Sequence, residues 1–138
     1  MDSNWSLHPQ LKRDTVNLGD LPLSRVLVND DANYPWLILV PRRPNLVEVI
    51  DLDEGAQAQL MREITRVARA LREITTSHKL NIAALGNVVP QLHVHVIARF
   101  QHDAAWPNPV WNVAPRRAYA QQELKAFTGQ LREQLRLP

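Results

Sequence analysis

The chain has no cysteine. Disulfides, thiol nucleophiles and cysteine-ligated zinc are thereby excluded. The composition suits a reducing compartment, so a cytoplasmic location is expected. Long hydrophobic runs are missing as well: none approaches the roughly 20 residues that cross a bilayer. The opening MDSNWSLHPQ lacks a basic stretch followed by an apolar one, so neither a membrane span nor a secretory signal is expected. There is no internal repeat and no low-complexity block. The net charge is only +2, with a sequence pI of about 9.4. Apart from the pairs Arg42-Arg43 and Arg116-Arg117 the arginines are scattered, and no basic stripe is interleaved with aromatics. Nucleic acid is therefore not an expected partner, although a modest positive bias suits a phosphorylated small molecule.

What remains is ordinary globular composition: 138 residues, 45% hydrophobic and 22% charged. That predicts one domain over residues 1–138 that buries roughly two-thirds of its unfolded surface. Only the first few residues read as a disordered tail. Leu7, Leu11 and Leu18 are expected to pack one short helix. Val26-Leu27-Val28 reads as a strand ending in the turn cluster Asn29-Asp30-Asp31. Trp36 to Val40, closed by Pro41, reads as a central strand covered on both faces. A long helix follows, capped by Asp51 or Asp53, with Leu60, Ile64, Val67, Leu71 and Ile74 as its apolar stripe. Strands are expected over Leu80–Leu85 and Leu92–Phe100, and a C-terminal helix carries Leu124, Phe127, Leu131 and Leu135. This order predicts an α+β domain, an antiparallel sheet with helices on one side. The stripe from Leu60 to Ile74 is long for one short sheet, which suggests apolar surface left over for a second copy of the chain.

The stretch QLHVHVIARF carries the chemistry. Strand alternation puts Gln91, His93, His95, Ile97 and Arg99 on one face and Leu92, Val94, Val96, Ala98 and Phe100 on the other. The valine face is core. The other presents an amide and two imidazoles at intervals of roughly 6.6 Å. Three readings fit such a row. Strand histidines are commonly structural residues with satisfied ring nitrogens. A shared zinc ion needs three or four ligands, and no HExxH or cysteine cluster supplies the rest. Nucleophilic catalysis by one imidazole, with its neighbour contacting a phosphate, is the third, since a neutral ring nitrogen is available near neutral pH.

GNVVPQLHVHVIARF resembles the signature of the histidine triad (HIT) family, in which three histidines alternate along one strand. In that family a glycine stands five positions before the first histidine and a valine two positions before it. Gly86 and Val89 approximate that placement, which aligns Gln91, His93 and His95 with the first, second and third histidines. A frame starting at His93 would make His95 the nucleophile, put isoleucine at the third position and displace Gly86 and Val89. The strand ending in Val40-Pro41, the long helix and the later Trp106-Pro107 pair agree, so the resemblance spans roughly residues 20 to 111.

The resemblance implies a HIT-like fold: an antiparallel sheet of about five strands with a long helix and a C-terminal helix. It implies a two-fold homodimer and chemistry without metal or cofactor. The substrate would be a small-molecule nucleotide of the dinucleoside polyphosphate or adenosine phosphoramidate class. His93 would attack the α-phosphate to form a nucleotidyl-histidine, which water then hydrolyses. His95 would contact that phosphate, and the backbone carbonyl of Gln91 would hold the His93 ring. Asn29, Asp30 and Asp31 fall where the family binds a ribose, and Asn87 where it can reach a phosphate. Three positions depart from the pattern. Gln91 replaces a histidine, Val88 a common hydroxyl residue, and Trp36 a further histidine. The alternative to a hydrolase is thus a nucleotide-binding module with weak or no turnover.

Overall fold

The computed structural model describes residues 4–138, so the expected N-terminal tail falls outside it. In chain order the elements are α1 (Pro9–Asp14), β1 (Thr15–Asp20), β2 (Ser24–Asn29), β3 (Trp36–Pro41), a 3-10 turn (Val49–Asp51), α2 (Glu54–Thr75), β4 (Lys79–Ala83), β5 (Val94–Arg99) and α3 (Gln121–Leu135). The five strands form one antiparallel sheet in the order β1-β2-β3-β5-β4. The α+β class, the long helix and the C-terminal helix are those expected.

Several boundaries moved, each for a local reason. Leu18 does not share a helix with Leu11. The helix stops at Asp14, Thr15 is extended, and residues 15–20 pair with β2 as an edge strand that apolar spacing did not show. A bulge between Asn17 and Gly19 bends this strand. Gly19 sits at φ +146°, and a Cβ there would meet the Leu137 side chain at 3.3 Å. Asp53 caps α2, accepting the Ala56 N–H at 2.8 Å, while Asp51 closes the preceding turn by accepting the Glu48 N–H at 2.9 Å. The last strand starts at Val94 rather than Leu92, because the Leu92 N–H bonds Leu46 instead of entering the ladder.

Two cores sandwich the sheet. On one face Val26, Val28, Leu37, Leu39, Val94 and Val96 meet the α2 stripe Leu60, Ile64, Val67 and Leu71 and the α3 residues Leu131 and Leu135. The α2 stripe is thus covered within one chain. Buried Glu63 locks α2 to the sheet: its carboxylate accepts the N–H groups of Leu23 and Ser24, each at 2.8 Å. The opposite face is packed as well, as the apolar run of β3 implied for a strand covered on both faces. Leu11, Leu27, Tyr34, Trp36, Ile38, Ile97, Ala105 and Val110 form a second cluster, with Trp5, Leu7 and Trp111 against it. Its cover is made of the N-terminal segment and the loop after β5, and it borders the histidines.

Candidate active site

His95 lies inside β5, opposite Ile38 on β3, which in turn faces Leu27 on β2. His93 lies one residue before the strand begins. Both are buried, at 7% and 6% exposure, and their rings meet edge to face with centroids 4.9 Å apart. The His93 Nδ1 is 2.7 Å from the Gln91 carbonyl oxygen. A carbonyl only accepts, so Nδ1 carries the proton and Nε2 keeps its lone pair. A neutral imidazole held in that tautomer is what a nitrogen nucleophile requires.

The partner of His95 is the reverse kind. The Trp36 indole N–H donates to His95 Nδ1 at 2.9 Å. Indole is a donor only, so Nδ1 is the acceptor and the ring proton sits on Nε2. Trp36 and Trp111 flank this ring at 5.6 and 5.1 Å, both edge-on. Burial, and then the neighbouring His93, push the His95 pKa down to about 3. Unfolded, this histidine titrates near 6.5. Stability is then complete above pH about 6.5 and falls as pH drops toward 3, because the unfolded chain takes up the proton first. Urea unfolding of wild type should show a clear loss of stability from pH 7 to pH 5, and His95→Gln should flatten that dependence. An unchanged slope in the variant would count against His95 as its source.

A HIT domain matches residues 10–102. The chain belongs to the histidine triad family. Three solved structures are similar over nearly the whole chain. A histidine triad protein of Bradyrhizobium japonicum is 65% identical, with 95% of this chain and 98% of that one covered and a TM-score of 0.94. One from Sinorhizobium meliloti is 40% identical, with 96% and 98% covered and a TM-score of 0.93. One from Marinobacter aquaeolei is 39% identical, with 96% of each chain covered and a TM-score of 0.93. No curated protein matches.

Within the HIT frame the departures acquire locations. The Gln91 side chain turns away from the histidines. Its Oε1 accepts the His8 N–H and its Nε2 donates to the Ser6 carbonyl, both at 2.9 Å. The amide thus pins the N-terminal segment, while its carbonyl holds His93. Val88, 87% exposed, projects from the loop before the motif. Neighbouring Asn87 is exposed on the same loop, just after Gly86 at φ +74°. His93 opens on a crevice of about 30 Å3 lined by Val47, Glu48, Val49, Ala84, Leu85 and Gly86.

Of the expected ribose-binding residues, Asn29 ends β2 and shares the face of Leu27 and His95 by strand alternation. Asp30 and Asp31 serve the chain itself. Asp30 accepts from Arg116 at 2.8 Å and from the Tyr119 N–H at 3.0 Å, and Asp31 from the N–H groups of Asn33 at 3.0 Å and Arg117 at 3.3 Å. Among the described residues no three His, Asp or Glu side chains group as metal ligands, and no helix is long and apolar enough to cross a membrane. Sequence reasoning missed Trp111, which no spacing connects to His95. It placed Trp36 as a departure without finding the hydrogen bond that makes it part of the site.

Proposed function

We propose that this protein is a nucleotide phosphohydrolase or nucleotidyl transferase that works through a covalent nucleotidyl-histidine on His93. The observation that carries the reading is the bond from His93 Nδ1–H to the Gln91 carbonyl, which leaves Nε2 free to attack phosphorus. His95 presents its Nε2–H to the α-phosphate as a neutral donor where charge develops. Asn87 borders the phosphate and Asn29 the nucleoside. Dinucleoside polyphosphates and adenosine phosphoramidates are the substrate classes of this reading, with no metal or cofactor taking part, in a cytoplasmic protein. Rapid quenching of the protein with such substrates, followed by intact-mass analysis, should trap an adenylate on the peptide holding His93. Turnover with no adduct, and no exchange of labelled AMP into substrate, would favour direct attack by water instead.

The bonds that occupy Asp30 and Asp31 favour the second reading, a nucleotide-binding module with little turnover, since both carboxylates are engaged by the chain itself. Binding of AMP without any hydrolysis would select it.

The functional unit of the proposal is a homodimer. β4 is an edge of the sheet, with Ile82 half exposed, and Met61 of α2 is 60% exposed. An edge strand bearing an apolar side chain is a natural pairing site for a second copy. Light scattering at micromolar concentration should give twice 15.8 kDa, and a stable single-chain species would refute the dimer.

A further inference from the structure

When a bond to phosphorus breaks, its electron pair stays on the departing atom. A phosphate oxygen carries that pair as a stable anion. An amine nitrogen does not, and has to receive a proton as the bond breaks, so its departure needs a positioned acid. The groups around His93 can be inspected for one. His93 itself has Nδ1–H committed to the Gln91 carbonyl, and its Nε2 is the attacking atom. The Gln91 amide has no titratable proton, and both its ends are held by the backbone of Ser6 and His8. From the same N-terminal segment, His8 turns Nδ1 to accept the Gln10 N–H at 3.0 Å. Across the crevice, exposed Glu48 takes the Asp51 N–H on its backbone carbonyl at 3.0 Å, and its carboxylate, as an ion, has no proton to give.

His95 is the remaining candidate, and Trp36 disarms it. To serve as an acid His95 must become an imidazolium, with a proton on both nitrogens. A proton on Nδ1 would then face the Trp36 N–H at the 2.9 Å of the present bond, hydrogen against hydrogen. Breaking that bond would strand a buried indole N–H without an acceptor. The surrounding rings of Trp36, Trp111 and His93 bring no carboxylate to stabilise the cation.

We infer that the Trp36–His95 hydrogen bond, with Gln91 in place of a titratable side chain, restricts this site to leaving groups that depart as stable oxyanions. The substrate is then a nucleotide joined to further phosphate through a phosphoanhydride oxygen, and not one joined to an amine through a P–N bond. The inference rests on the nucleotidyl-histidine reading above and narrows its substrate class. His93 Nε2 gives its lone pair to the α-phosphorus, and the P–O bond to the outer phosphate breaks with its pair on that oxygen. His95 Nε2–H holds a phosphate oxygen and keeps its proton. Water then attacks phosphorus, its proton passes to solvent, and the P–N pair returns to His93. Trp36 is a positioning residue in this scheme, acting through His95.

The test compares two substrates that share the adenylate, a diadenosine polyphosphate and an adenosine 5′-phosphoramidate of an alkylamine. The expected kcat/KM is at least about 10²-fold higher for the anhydride, the lower end of what a positioned acid supplies. Equal rates would overturn the inference and leave the nucleotidyl-histidine standing. Turnover of neither would remove both. Nitrogen-15 NMR of wild-type protein gives a readout independent of activity. His95 should keep an unprotonated Nδ1 from pH 5 to pH 8, and titration within that range would overturn the inference. In Trp36→Phe, which keeps an aromatic ring but removes the donor, nothing fixes Nδ1 of His95 as the acceptor, and the ring should change tautomer. A His95 unmoved by that change would show that Trp36 does not set its state.

Discussion

His93→Ala should leave no measurable turnover against any substrate that wild type cleaves, with circular dichroism and gel filtration unchanged. A covalent step has no substitute for its attacking atom. The fold should survive because the strand's core contacts are made by Val94, Val96 and Ala98 on one face and Ile97 on the other, and His93 belongs to neither cluster. His95→Ala removes a phosphate donor and not the nucleophile, and loss of one such donor costs about 10²- to 10³-fold in kcat. Gln91→Ala should be mildest, about tenfold, because the carbonyl that holds His93 belongs to the backbone. Its remaining effect should come from release of the N-terminal segment, which the side chain holds at Ser6 and His8. Full activity in His93→Ala would falsify the assignment. A larger loss in Gln91→Ala than in His95→Ala would show the amide acting in the chemistry.

Asp103→Ala should be the most damaging single change to stability outside the hydrophobic clusters. Arg99, 1% exposed, ends β5. It grips Asp103 through Nε and Nη2 at 2.8 and 3.0 Å, Asn81 of β4 at 2.8 Å, and the Asn108 carbonyl at 2.8 Å. Asp103 also accepts the N–H groups of Phe100, Ala105 and Trp106 at 2.8–3.1 Å. Removing the carboxylate leaves a buried guanidinium and three backbone donors without their acceptor. Breaking one partner of a buried pair costs about 3–5 kcal/mol, or roughly 10–20 °C in Tm for a chain of this size. A replacement of both residues by apolar ones of similar volume should recover much of it. Calorimetry on the two variants checks the order, and an Asp103→Ala variant that melts with wild type would refute it.

The same carboxylate sets an acid limit. Burial alone would raise its pKa, but the Arg99 bond and the three backbone N–H groups outweigh that and hold it at about 2. Its contribution is present above the ordinary 3.8 and is lost as pH falls through 2, a window below that of His95. The damage also reaches the site, because this hub anchors the loop that carries Trp111 against His95.

The periodic parts of this protein were legible because side-chain period follows from local geometry. The α2 stripe from Leu60 to Leu71, the β3 run Trp36 to Val40 and the alternation around His93 and His95 each report one element's buried face. The motif brought out the histidines, and the carbonyl of Gln91 follows from its place two residues before His93. Strand β1 was illegible because Thr15, Val16 and Leu18 give too short a pattern, and its partner lies across a turn. The β3 run implied that both faces are covered, but not which residues cover the histidine side. That cover comes from Trp5, Leu7, Val110 and Trp111, distant in sequence and adjacent only in the fold. The free lone pair of His93 could be argued from local backbone alone. The state of His95 depended on an indole 59 residues away, and a hydrogen bond over that separation exists only once β3 and β5 are paired.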